Sequence, residues 1–148
     1  MSWHELEDQA PELAEFGARR LTGPGVAYLA TVDVTGAPRV HPVTPIVAQG
    51  RLFVFMEPTS PKGRDLERGS RYAMHGAVED QDGGGGEFRV RGRGRKVDDP
   101  AAHALAAEHA SYQPAAGYVL FELLVDDAFM TVYADDGTPQ RQRWRAQP

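Results

Sequence analysis

Three stretches of this sequence place polar or charged side chains at spacings that could do chemistry. The first is Ser60-Pro61-Lys62-Gly63-Arg64. Serine followed by proline marks a helix start, with serine at the N-cap and proline in the first turn. Such a start leaves backbone N–H groups unpaired beside a partial positive charge, which suits an anion. With Lys62 and Arg64 near the Ser60 hydroxyl, the segment could hold a phosphate; an ordinary surface helix with solvated charges accounts for the same residues. The second stretch is Arg39-Val40-His41-Pro42-Val43-Thr44. Prolines in a strand-like run leave backbone unpaired, free to meet the polar edge of a planar ring. Alternation puts Arg39 and His41 on one face. An edge strand protected by proline is the alternative. The third is the row Arg89, Arg91, Arg93, Arg95, which shares one strand face, with Phe88, Val90, Gly92 and Gly94 on the other. Such a row can bind phosphate, pair with acids across a subunit interface or face water; facing water is the expectation for most of the four.

Other chemistries are excluded or unsupported. Cysteine is absent, which removes disulfides, thiol redox chemistry and cysteine-bound zinc. The five histidines, at 4, 41, 75, 103 and 109, show no metal-ligand spacing. His103 and His109 are expected on an exposed helix, and His75 as a packed or hydrogen-bonded strand residue. Gly83–Gly86 lacks the lysine and hydroxyl residue of a phosphate loop. No serine stands in a nucleophile-elbow context. The net charge of −5 argues against nucleic acid and anionic membranes as partners. The acidic, amphipathic start MSWHELEDQAPELAEF is not a signal peptide, and no apolar run reaches membrane-span length. A cytoplasmic protein is expected.

The elements that must position these residues follow from the pattern. Ser2 and Glu5 stand at capping-box spacing. Trp3, Leu6, Ala10, Leu13 and Phe16 make one apolar stripe, which Pro11 divides into two short helices. Strands are expected at 26–33, 38–47, 52–56, 71–79, 87–97 and 118–125, with 129–133 an extension or a seventh. Pro42 and Pro45 make 38–47 an edge or bulged strand. Short helices are expected at 60–69 and from Asp99 to about His109. With 148 residues this is one domain: a helical segment over 1–21, a barrel over 22–135 and a tail over 136–148. Short strands at regular spacing with few helices favour a barrel over a layered α/β fold.

In their order and spacing these pieces resemble the pyridoxamine 5′-phosphate oxidase-like flavin-binding split barrels. The resemblance runs through Gly36-Ala37-Pro38, the strand Arg39–Val43, the turn Ser60-Pro61-Lys62 with Leu66, and Arg89–Gly92 leading to Val97-Asp98, and ends near Trp144. It implies a mainly β fold with a few helices (β+α), a split β-barrel of six or seven antiparallel strands of Greek-key type. It implies a homodimer with FMN in a groove between subunits. Ring contacts would come from Val40, His41, Pro42 and Val43 and phosphate contacts from Ser60 and Lys62, with Arg39 and Arg64 also among the cofactor-binding residues. Glu87 and Arg89 would approach from the partner side, and Trp144 would join the cofactor contacts. The implied activity is hydride transfer to or from a small organic substrate. The alternatives are a reductase using the deazaflavin coenzyme F-420, and a non-catalytic flavin or haem binder. Pro61 and Met56 depart from the oxidases' pattern, at positions where a basic and a hydroxyl residue are usual. No catalytic residue is assigned; His41 and Tyr72 could lie near a bound ring. Apolar strand faces such as Phe121 and Leu123 are expected to need a partner subunit.

Overall fold

Alternating inward apolar residues build two antiparallel sheets that share one long strand. The computed structural model describes residues 1–148. In chain order the elements are α1 (Trp3–Gln9), α2 (Pro11–Thr22), β1 (Ala27–Val32), β2 (Pro38–Val43), β3 (Ile46–Ala48), β4 (Arg51–Met56), α3 (Pro61–Glu67), β5 (Arg71–Gly76), β6 (Glu87–Val97), α4 (Pro100–His109), β7 (Val119–Leu123), β8 (Asp127–Tyr133) and β9 (Pro139–Arg145). One sheet runs β2-β1-β5-β6-β8-β9 and the other β6-β7-β4-β3. All pairings are antiparallel, and the curled pair forms a split barrel.

The eleven-residue β6 makes this possible. Its first half pairs with β5 and β8, and Gly94–Val97 pair with β7. The crossover lies at Gly92, where a Cβ would stand 1.9 Å from the Leu124 carbonyl oxygen. Only glycine allows that approach. Tyr72 lies opposite Gly92, and its hydroxyl donates to the same carbonyl at 2.9 Å.

The expected strand 38–47 is two strands. Proline 45 lies at the break between β2 and β3, which belong to different sheets. A proline there has no N–H for a ladder, so the chain leaves one sheet and enters the other. β2 is an edge strand. Residues 129–133 belong to a separate strand, β8, and the expected tail contains β9, paired with it along seven residues. The Gln/Arg alternation of β9 carries little hydrophobic signal, and only its Trp144 is buried.

The helix α2 packs mainly on the first sheet, and α1 packs on α2 and β4. Ser2 and Glu5 form the expected capping box. Trp3 and Phe16 meet Phe88 edge-on, and Gly17 gives the Phe88 ring its space. A smaller core, with Ile46, Phe53, Phe55, Ala102, Ala106 and Leu120, lies under α4. Phe121 and Leu123 are fully buried in the chain's own main core, so they need no partner. The exposed apolar residues lie elsewhere. Tyr28, Val32, Val40 and Pro42 share the outer face of the β1–β2 hairpin, because Tyr28 opposes Pro42 and Ala30 opposes Val40. No helix is long and apolar enough to cross a membrane.

Candidate functional site

Ser60 occupies the N-cap of α3, but its hydroxyl caps no backbone N–H. Instead its Oγ accepts a hydrogen bond from Lys62 Nζ at 3.1 Å. Ser60 is buried and Lys62 half-buried. Burial lowers the Lys62 pKa, and the Glu57 carboxylate opposes that shift. The ammonium's hydrogen bond goes to a neutral hydroxyl and it makes no ion pair, so it can take an anion, which the Glu57 carboxylate of the same cleft would oppose. Ser60 and Lys62 line an open cleft of about 390 Å³ together with Phe55, Met56, Glu57, Thr59, Pro61 and Tyr118. Arg64 is exposed on the same helix.

The β2 segment divides by alternation. Arg39, His41 and Val43 point inward, and Val40 and Pro42 point out. Val43 is in the core. A planar ring lying on one face of β2 therefore meets one set of side chains, and reaches the other only through the strand's free backbone edge. Arg39 and His41 do share a face, with different outcomes. Arg39 Nε donates to Asp65 Oδ2 at 2.9 Å. Asp65 is fully buried, and also accepts from Thr31 Oγ1 at 2.7 Å and from Arg68. Burial pushes its carboxyl up, but the bonds from Arg39, Thr31 and Arg68 outweigh this and hold it below the usual value. Arg39 thus ties β2 and β1 to α3. His41 has no such partner: its Nε2 is buried and makes no hydrogen bond. Burial lowers its pKa, the charges of Lys62 and Arg39 lower it further, and Asp65 opposes them. The ring is therefore neutral at pH 7. His41 is not among the residues that line the cleft, and its orphaned buried nitrogen calls for a missing partner.

Glu87, Arg89 and Trp144 do not line this cleft within one chain. Glu87 accepts from the Tyr133 hydroxyl at 3.1 Å. Arg89 contacts Asp127 at 3.4 Å and lies over the Phe129 ring, and its Nε is buried without a partner. Trp144 is buried against the N-terminal helices, its indole N–H donating to Gln9 at 2.9 Å. Tyr72 is buried, which raises its pKa well above the usual value.

The arginine row does not simply face water. Arg91 bonds Asp127 at 3.1 Å, Arg93 bonds the Gly69 carbonyl at 2.6 Å and Arg95 bonds Glu122 at 2.6 Å. Arg51 is the second partner of Glu122. His103 is half-buried, bonded through Nε2 to the Val97 carbonyl and edge-on to Phe55. Sequence reasoning missed Asp65 and Asp127, the two acids around which the arginines gather. A faint signal existed for each. Asp65 sits between Gly63 and Leu66 on the inward side of α3, and Arg141, Arg143 and Arg145 repeat the two-residue spacing of the earlier row.

A two-sheet antiparallel barrel sharing one strand, with a polar cleft at the start of a short helix, defines a split-barrel class. The family model for pyridoxamine 5′-phosphate oxidase matches residues 12–132, and the chain belongs to that family. No curated protein matches it in sequence. Among solved structures it is similar to PhzG from Burkholderia lata, crystallised with tetrahydrophenazine-1-carboxylic acid (TM-score 0.68, 16% identity, 97% of this chain and 87% of that one). It is also similar to a haem-binding protein from Mycobacterium smegmatis (TM-score 0.66, 17% identity, 88% of this chain). This chain spans 57% of that protein's length. The haem storage protein HutZ from Vibrio cholerae is similar at TM-score 0.59 and 18% identity, over 92% and 93% of the two chains.

Proposed function

We propose that this protein binds FMN and uses it for two-electron oxidation or reduction of a small organic molecule, acting as a homodimer. The observation that carries the reading is the Ser60–Lys62 pair in its cleft, with His41 within reach of the Lys62 charge. Lys62 is a half-buried ammonium in no ion pair, and His41 has a buried ring nitrogen without a partner. Lys62 and the Ser60 hydroxyl suit the phosphate, with Arg64 at the exposed rim. His41 offers a neutral ring N–H or lone pair to a polar edge of the bound cofactor. Arg39 acts through Asp65 by fixing the spacing of β2 and α3. Flavin, when bound, supplies the hydride chemistry; the protein supplies binding, orientation and water exclusion. Glu87 and Arg89 belong to this reading as groups that a second subunit brings to the groove. The exposed Tyr28–Val32–Val40 patch supports a homodimer, because an apolar face of that kind marks an association surface. A deazaflavin would use the same corner, with its acidic tail drawn toward Arg64.

A second reading, a haem binder, has one observation in its favour: an orphaned imidazole nitrogen is what an axial ligand needs. The visible spectrum of the purified protein, with mass spectrometry of whatever denaturation releases, separates the two. Flavin bands and released FMN support the proposal, and a Soret band replaces it with the second reading. Light scattering that shows a stable monomer at micromolar concentration removes the two-chain groove.

A further inference from the structure

The outer face of the β6–β8–β9 sheet carries a charge imbalance of which the flavin reading uses only Glu87 and Arg89. Cross-strand register aligns its side chains in rows: Arg89 with Phe129 and Arg143, Arg91 with Asp127 and Arg145, Glu87 with Thr131 and Arg141. Directly opposed residues share a face. With Arg93, this face holds six arginines and two carboxylates, in a chain whose net charge is −5. Four of the arginines converge on one acid. Arg143 reaches Asp127 through Nε and Nη2, both at 2.9 Å, Arg91 through Nε at 3.1 Å, Arg89 at 3.4 Å and Arg145 at 3.5 Å.

One carboxylate offers about four lone-pair sites, and each guanidinium brings five N–H donors. Asp127 can therefore neutralise one of the four charges and occupy a fraction of the donors. The other nearby carboxylate, Glu87, is engaged by Tyr133. Arg91 and Arg143 are each about 40% exposed, so their remaining donors open outward beside the Phe129 ring. Asp127 acts as a keystone. It draws the guanidiniums together and sets their spacing while leaving most of their charge uncompensated. Four guanidiniums fixed on rigid strands are preorganised for a multiply charged anion, because the entropy of gathering them is already spent in folding.

We propose that Arg91, Arg143 and Arg145, with Arg89 behind them, form a binding site for a compact, multiply charged anion: a phosphate ester or polycarboxylate group of a small molecule. This site is distinct from the Ser60–Lys62 corner and needs no flavin.

Isothermal titration of the full-length, cofactor-free protein with pyrophosphate tests it, with citrate as a second arm. One site per chain is expected once Lys62→Gln has removed the α3 corner, with affinity falling as salt rises. Arg91→Gln and Arg143→Gln should each weaken pyrophosphate about tenfold. Lys62→Gln removes any binding at the α3 corner and should leave the arginine site occupied at the same affinity. Asp127→Asn removes the competing charge but keeps an oxygen that accepts from the arginines and holds their spacing, and should tighten pyrophosphate binding several-fold, an outcome that a purely structural role for the cluster would not give. Stronger binding of pyrophosphate assigns a phosphate ester, and stronger binding of citrate assigns a polycarboxylate. Loss of binding in Lys62→Gln with retention in Arg91→Gln and Arg143→Gln would place the anion at α3 and overturn the proposal while leaving the flavin reading intact. Should Asp127→Asn fail to fold, unchanged binding in the two arginine variants overturns it as well.

Discussion

The two sides of α3 treat charge in opposite ways. At Asp65 the helix closes a lock: a fully buried carboxylate accepts from Arg39, Thr31 and Arg68, so helix, β1 and β2 are fixed together. At Ser60 and Lys62, one turn earlier, the same helix leaves an ammonium bonded to a hydroxyl and in no ion pair, while the imidazole nitrogen of His41 has no partner. The first arrangement spends its polar groups on stability and the second leaves them unspent. This difference distinguishes a structural ion-pair hub from a binding corner, although both carry cationic residues in the same short segment. A rigid lock also keeps the corner's geometry, because a cofactor phosphate needs donors held in place before it arrives.

The comparison breaks first at the lock. Asp65→Asn should lower stability by about 3 kcal/mol, because it strips the charge partner from a buried pair and leaves Arg39 facing a neutral amide. Urea unfolding reads this directly, and a loss below about 1 kcal/mol would show that the hub is not structural. Lys62→Ala should do the reverse. Its burial already disfavours the charge, so stability should hold, while FMN affinity falls about tenfold or more. Lys96→Ala, near Glu67 on an exposed strand end, should leave FMN affinity unchanged. Titration of the three proteins with FMN compares them, and equal losses in the two lysine variants would remove Lys62 from the site.

Acid pH sharpens the contrast more gently. Asp65, Glu122 and Asp127 are all held below their ordinary values by their arginine partners. The unfolded chain therefore binds more protons than the folded one in that range. The stability these groups contribute is complete above the unfolded carboxylate value, about 4, and is lost as pH falls through the depressed folded values. Thermal melts from neutral to acid pH should show a steep drop there, shallower in Asp65→Asn. Smallest of all, Arg64→Ala should change stability by less than about 0.5 kcal/mol, because its side chain is solvated.

Much of this architecture was legible in the sequence, and the reasons differ by element. The capping box at Ser2, the Pro11 break and the Ser60 helix start rest on local chemistry, which tertiary context does not overrule. β9 was not legible, because its side chains are arginines and glutamines whose strand conformation is fixed by pairing with β8, a contact between residues distant in pattern. The division of 38–47 was half legible: Pro45 signalled an irregularity but not that the chain changes sheets there. Phe121 and Leu123 look like residues in want of a partner when counted along the strand. They are core because the sheet curls until the N-terminal helices and α3 cover them. At the site, the sequence showed which residues could meet an anion. It could not show that Arg39 is engaged by a buried aspartate 26 residues away while His41 is left without a partner.

The central claim is that the Ser60–Lys62 corner reads a phosphate, and the most direct measurement is the affinity of cofactor-free protein for FMN against riboflavin, which lacks that group. FMN should bind at least about tenfold tighter than riboflavin in the natural protein, and Lys62→Ala should bring the two together. Equal affinity for FMN and riboflavin in the natural protein, or a preference for FMN that survives Lys62→Ala, would contradict the account.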